Sequence, residues 1–193
     1  MKKDIILAGV GGQGIISIAA IIGYAALEQG MFLKQSEVHG MSQRGGDVMS
    51  NLRISHQEIA SDLIPFGQAD MIISIEPLES LRYLPYLSGE GWVITNTRPF
   101  NNIPNYPDPV KIMEEIAKVP HHIALDADAL AKELGSAKAA NIVILGAASP
   151  FLGMAYEKIE DAIRFTFRKK GDKVIELNLN ALKAGRDFAI NNM

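Results

Sequence analysis

Residues 4–30 read "DIILAGVGGQGIISIAAIIGYAALEQG" and hold a short apolar run, a cluster of glycines and a longer apolar run. Asp4 to Ala8 has the length and composition of a buried strand. Gln13 to Gln29 is long enough for a helix, and Gly30 follows at the position where a left-handed cap is easiest to form. The stretch therefore predicts a strand, a tight turn and a helix.

The glycines of the predicted turn lie at the G-x-G-x-x-G spacing, as Gly9, Gly11 and Gly14. This spacing permits a tight turn, close approach of a phosphate to the backbone, and a following helix whose N-terminus attracts anions. A dinucleotide site would also need an acidic residue about 20 residues further on, and Glu37 lies 23 residues after Gly14. Binding of NAD or FAD and a purely structural turn therefore both remain open.

Strand and helix patterns alternate along the rest of the chain. Further strands are predicted at Phe32–Ser36, from Val48, and at Asp70–Ile75, Trp92–Asn96 and His122–Asp126. Helical patterns dominate after residue 127. Such alternation predicts an α/β fold over residues 1–193 as one domain, a Rossmann-like three-layer sandwich with a mainly parallel sheet and a helical C-terminal part.

The segment between Ser36 and Val48 is unusually short and rich in glycine. A crossover between parallel strands needs a dozen or more residues and usually a helix. We therefore expect a β-hairpin insertion after the second strand. This insertion interrupts the first mononucleotide-binding half of a Rossmann fold, which counts against a NAD site.

The same segment, "SEVHGMSQRGG" at residues 36–46, concentrates polar residues in what we expect to be a loop. It follows the second strand and should lie beside the glycine turn, at the edge where open α/β sheets bind ligands. Arg44 can hold a phosphate or carboxylate in a two-pronged contact, and His39 can donate a proton or a hydrogen bond. From the two loops we predict a binding site formed by Gly9, Gly11, Gly12, Gln13, Gly14, His39, Ser42, Arg44, Gly45 and Gly46.

Composition narrows the possible functions. The chain has no cysteine, so it cannot provide a thiolate for a nucleophile, a zinc site or an iron–sulfur cluster. Its formal net charge is only -3, with charges of both signs intermixed, which does not favour nucleic acid as a partner. The longest apolar run, Ile15 to Leu27, is shorter than a membrane span requires. We expect a soluble, cytoplasmic protein that binds neither nucleic acid nor membrane.

The first helix is apolar on every face, with the sequence "IISIAAIIGYAAL". A helix with one face in water normally shows an apolar stripe only. We therefore expect burial on two sides, either under the C-terminal helices or against another chain. The second possibility predicts that the isolated chain self-associates.

Four stretches together resemble the gamma subunit or domain of the 2-oxoacid:ferredoxin oxidoreductases. The likeness is strongest to the small (beta) subunits of the indolepyruvate enzymes, through "EVHGMSQRGG" and "EPLESLR". It covers nearly the whole chain, at residues 9–26, 36–55, 69–84 and 139–149.

The resemblance implies a hetero-oligomeric enzyme that decarboxylates an aryl 2-oxoacid, forms an acyl-CoA and reduces ferredoxin. Thiamine diphosphate, magnesium and 4Fe-4S clusters are then expected on a larger partner subunit, and none on this chain. The matching loops, Gly9 to Gly14 and His39 to Gly46, would line an active-site or coenzyme A cavity, with Arg44 against a phosphate. The alternatives from the residues alone are a free-standing NAD- or FAD-binding protein and an interaction domain whose glycines serve packing.

Overall fold

A six-stranded sheet forms the centre of the computed structural model, which describes residues 1–40, 45–101 and 103–193. Buried Ile, Leu and Val residues alternate between its two faces, as a sheet covered on both sides requires. The strands are β1 (Lys2–Val10), β2 (Phe32–His39), β3 (Asp47–Ser55), β4 (Ala69–Ser74), β5 (Leu87–Asn96) and β6 (His122–Leu125).

The strand order is β2-β3-β1-β4-β5-β6. β1, β4, β5 and β6 are parallel to one another, and β3 is antiparallel to both of its neighbours, β1 and β2. The mainly parallel sheet is confirmed. The hairpin differs in detail, because β2 itself pairs with β3 instead of being followed by a separate hairpin. Glu37 and His39 accordingly lie within β2, where a loop was expected.

Helices cover both faces and complete the three layers. On one side, α1, α5, α6 and α7 build the larger core; on the other, α2 covers the smaller core and α3 packs on α2. The helical C-terminal part is confirmed. The helices are α1 (Ile15–Leu27), α2 (Pro77–Arg82), α3 (Pro109–Ile116), α4 (Ala127–Glu133), α5 (Ala140–Ala148), α6 (Tyr156–Phe167) and α7 (Asp172–Asn191).

The second neighbour of α1 is the chain's own C-terminal part. Tyr24 stacks on Phe165 of α6, with ring centroids 4.2 Å apart. Burial is nevertheless incomplete, because Ile16, Ala20 and Leu27 remain exposed along one line of α1. Among the described residues, no helix combines the length and the hydropathy needed to cross a bilayer.

A buried ion pair joins the neighbouring strands β1 and β3 near one end of their pairing. Asp4 on β1 lies opposite Arg53 on β3 and is fully buried. Its two carboxylate oxygens accept from Arg53 Nε at 2.8 Å and from Nη2 at 2.9 Å. Arg53 Nη1 also donates to the carbonyls of Ser61 and Leu63, so the pair fixes the segment after β3 onto the sheet.

Replacing Arg53 by methionine should lower the free energy of unfolding by about 3–5 kcal/mol, because a buried carboxylate loses its main partner. Lys2→Met is the matched control, since Lys2 also contacts Asp4, at 2.8 Å, but its side chain is 58% exposed. That control should cost about 1 kcal/mol or less. Urea denaturation compares the two variants, and equal losses would contradict the account.

Candidate functional site

The glycine turn is closed by its own hydrogen bonds. Gln13 N donates to Val10 O at 3.1 Å, and Val10 N donates to Gln13 Oε1 at 2.8 Å. The side-chain oxygen of Gln13 therefore holds the turn together. The side-chain nitrogen of Gln13 is left available to a ligand.

Gly14 connects the turn to α1 in the left-handed conformation, with φ of +86°. A Cβ atom there would lie 2.5 Å from Asn141 Nδ2, so a side chain meets both backbone strain and a close neighbour. No side chain caps α1, and Ser17 N donates to Gly14 O at 3.0 Å. The other N–H groups of the first turn have no partner within the helix, and an uncapped helix N-terminus of this kind can attract an anion.

The end of the β2–β3 hairpin meets the glycine turn. Gly11 N donates to Gly46 O at 2.8 Å, and Gly45 N to Gly11 O at 3.4 Å. The prediction that the two glycine-rich segments lie side by side is confirmed for these residues. Ser42 and Arg44, which were predicted to belong to the same site, lie outside the described residues.

A cavity of about 300 Å³ opens between the turn, the start of α1 and the hairpin. We call it the hairpin cavity. Of the described residues around it, only His39 carries an ionisable side chain. They are Val10, Gly11, Gly12, Gly14, Ile15, Ile16, Ser17, His39 and Val48.

His39 is paired with Glu37. Its Nε2 atom lies 2.5 Å from Glu37 Oε1, and the two side chains are 49% and 16% exposed, respectively. The pairing and the strand order both argue against the ribose contact expected of Glu37 in a dinucleotide site. Because β3 lies between β1 and β2, Glu37 is two strand spacings, roughly 10 Å, away from β1.

A second opening lies on the other side of the turn, which we call the edge cleft. It comprises a hollow of about 440 Å³ and a neighbouring hollow of about 260 Å³ that share Gln13, Asn96 and Asp128. The carboxyl ends of β1, β4 and β5 meet here. Strands that follow β1 in the sequence lie on both sides of it in the sheet, and open α/β sheets bind ligands at such a position. Of the described residues, Arg98, Lys132 and Lys138 line the cleft with cationic side chains and Asp128 with a carboxylate, and Arg98 Nε lies 3.3 Å from Asp126 Oδ2.

Asn96 forms a rigid floor for this cleft. Its Nδ2 donates to Asp128 Oδ2 at 2.8 Å and to Ile75 O at 3.3 Å, and its Oδ1 accepts from Ala127 N at 3.1 Å. The ends of β4 and β5 and the start of α4 are thereby tied together. Sequence reasoning missed these residues, although Asn96 and Asp128 each stand at or just after a predicted strand end, where ligands bind.

A buried carboxylate fixes the wall of the edge cleft. Glu76 is 1% exposed; its Oε2 accepts from Glu79 N at 2.9 Å, and its Oε1 accepts from Phe100 N at 3.2 Å and from Tyr106 OH. Burial and the Glu76 carboxylate raise the pKa of Tyr106, so the phenol stays protonated and donates. Glu76 thus holds the segment after β5, including Arg98 and Phe100, beside the cleft.

Tyr106→Phe should lower the free energy of unfolding by about 1–3 kcal/mol, because the buried Glu76 loses a donor. It should also speed proteolytic cleavage within residues 97–108, since that segment loses the hydrogen bond from Tyr106 to Glu76. Tyr86→Phe is the control, because Tyr86 contacts Phe66 and Tyr83 through its ring, which the substitution keeps. Identical digestion patterns for both variants would show that Glu76 does not hold the segment.

Comparisons with known proteins agree with this architecture. The "Indolepyruvate oxidoreductase subunit IorB" of Archaeoglobus fulgidus is 39% identical over 201 residues, covering 98% of this chain and 96% of the relative. The keto/oxoacid ferredoxin oxidoreductase gamma subunit of Geobacter sulfurreducens has a TM-score of 0.72 at 25% identity, covering 98% and 99% of the two chains.

A further solved structure has the same fold within a longer chain. It is the 2-oxoglutarate:ferredoxin oxidoreductase of Magnetococcus marinus with 2-oxoglutarate, coenzyme A and succinyl-CoA bound, and its TM-score is 0.77 at 22% identity. The match covers 98% of this chain and 31% of that one. The model of the pyruvate ferredoxin/flavodoxin oxidoreductase family matches residues 4–188. The chain therefore belongs to the pyruvate ferredoxin/flavodoxin oxidoreductase family.

Proposed function

We propose that this chain is the small subunit of an indolepyruvate, or aryl 2-oxoacid, ferredoxin oxidoreductase. The complete enzyme decarboxylates the 2-oxoacid, forms an acyl-CoA and reduces ferredoxin. The observation that carries the proposal is the 39% identity to the IorB relative over nearly the full length of both chains. A free-standing NAD- or FAD-binding role has no support from these relatives, and the strand order argues against it.

The redox chemistry belongs to a larger partner subunit in this proposal. The chain has no cysteine for a cluster, and no three His, Asp or Glu side chains group as metal ligands within the described ranges. The described side chains therefore do not fit the magnesium of thiamine diphosphate, and a chain without cysteine does not fit a 4Fe-4S cluster. The chain contributes as one gamma-type domain, 1–193, of a cytoplasmic complex that passes electrons to ferredoxin.

The contribution of this chain is a binding surface for coenzyme A. Phosphates suit the edge cleft, because Lys132 and Lys138 supply positive charge beside Arg98, which pairs with Asp126 at 3.3 Å, and because the glycine turn borders the same space. Gly12 and Gly14 line both openings, so a long coenzyme can cross the turn between them. Its thiol arm then reaches the hairpin cavity. Ser42 and Arg44, which follow His39 closely in the sequence, remain proposed members of the same site.

The exposed line on α1 is where we place the large subunit. Ile16 belongs both to this line and to the wall of the hairpin cavity, so a partner seated on α1 would also close that cavity. Apolar side chains exposed in this way are typical of interaction surfaces. The same surface would make the isolated chain self-associate.

The isolated chain should be colourless and inactive towards 2-oxoacids, because it offers no thiolate ligand for a cluster. Co-expression with the large subunit should give a brown, iron-containing complex that reduces ferredoxin with indolepyruvate and coenzyme A. Ile16→Glu, on the exposed line of α1, should reduce recovery of that complex, whereas Lys118→Glu should not. Dye reduction by the isolated chain with indolepyruvate would end this proposal.

Lys138→Ala and Arg44→Ala should each lower the catalytic efficiency of coenzyme A-dependent ferredoxin reduction by roughly 10- to 150-fold, because a charge-assisted contact to an anion of the coenzyme or the substrate contributes about 1.5–3 kcal/mol. Arg44→Lys should recover part of the loss, since it restores the charge without the planar fork. Lys118→Ala is the control, because Lys118 pairs with Glu115 outside both openings. If Lys138→Ala and Arg44→Ala are as efficient as wild type at matched iron content, the proposal that this chain binds coenzyme A is wrong.

A further inference from the structure

We propose that His39, oriented by Glu37, is the base that accepts the thiol proton of coenzyme A during acyl-CoA formation. This inference rests on the proposed function, because it needs the thiol arm in the hairpin cavity. His39 then has a catalytic role, and Glu37 has a positioning role.

The geometry of the pair fixes which ring nitrogen is available. Glu37 and His39 are two residues apart on β2, so their side chains project from the same face of the strand. Glu37 Oε1 lies 2.5 Å from Nε2 of His39. A carboxylate accepts hydrogen bonds, so in the neutral ring the proton resides on Nε2 and Nδ1 is left as the proton acceptor.

The cavity offers no rival base among its described lining. Apart from His39, those residues are glycines, the apolar Val10, Ile15, Ile16 and Val48, and the hydroxyl of Ser17. Among these described residues, His39 is the side chain that can accept the proton of a thiol that enters the cavity. That group also adjoins the turn where the phosphates of the same coenzyme are proposed to bind.

The chemistry of acyl transfer to a thiol calls for such a group. The thiolate is the nucleophile, and a free thiol of the cysteine type has a pKa of about 8.5, so it is mostly protonated at neutral pH. In the proposed step the S–H bond breaks, the proton moves to His39 Nδ1, and the electron pair stays on sulfur. The resulting imidazolium lies against the Glu37 carboxylate, which stabilises its charge.

The kinetic test uses the reconstituted complex at matched iron content and saturating coenzyme A. His39→Gln should lower the rate of acyl-CoA formation by roughly 10²- to 10⁴-fold, the usual contribution of a general base. The KM for coenzyme A should change by less than about threefold, since the phosphates contribute most of the binding. His56→Gln is the matched control, because His56 is an exposed histidine just after β3, at the opposite end of that strand from the hairpin.

Chemical rescue separates catalysis from structural support. Added imidazole should restore acyl-CoA formation to His39→Ala, because a small base can occupy the vacated space, and it should not stimulate the wild-type complex. Glu37→Gln should lower the same rate by about tenfold or more, since the ring loses its orienting carboxylate. Loss of rate without imidazole rescue would assign His39 a structural role and overturn the inference.

A second readout does not depend on turnover. In nitrogen-15 spectra of the full chain, neutral His39 should carry its proton on Nε2, and Glu37→Gln should weaken that preference. The opposite tautomer would overturn the inference. If coenzyme A does not bind to the wild-type complex, the proposed function fails; if it binds but His39→Gln turns over like wild type, only the role of His39 fails.

Discussion

The insertion of β3 between β1 and β2 is the constraint on which the rest of the molecule depends. A parallel sheet would ordinarily place β2 directly beside β1, with a helix crossing between them. Here β3 pairs with both strands, and the buried contact of Asp4 with Arg53 joins it to β1. The reversal carries the hairpin end to the glycine turn, where Gly11 bonds to Gly46. The same insertion moves Glu37 on β2 away from β1, and Glu37 pairs with His39 instead.

The result is a turn that separates two chemically different openings. The edge cleft is polar and bordered by cations and by the Asp128 carboxylate, whereas the described lining of the hairpin cavity is mainly apolar with one histidine. We propose that a ligand with a phosphorylated end and a less polar arm spans the two openings. In that proposal, a chain without cysteine serves a redox enzyme by holding the acyl acceptor while the partner carries out electron transfer.

Much of the fold could be predicted because its signals are local. Short apolar runs between glycines and prolines identified all six strands, and the length of residues 36–48 was enough to predict an antiparallel insertion. The boundaries of β2 were wrong, since Glu37 and His39 are polar and belong to a strand only through pairing with β3. The edge cleft was missed for a similar reason. Asn96, Asp128 and Lys138 are distant in sequence and come together only through the order of the strands.

We propose that the glycine turn of this chain binds coenzyme A. The most direct measurement is photo-crosslinking of the reconstituted complex with a coenzyme A analogue that carries a photoreactive group on its adenine. Peptide mapping should then find the label within residues 96–100 or 128–141 of this chain, and unmodified coenzyme A should compete it away. Competable label found only on the large subunit would contradict the account.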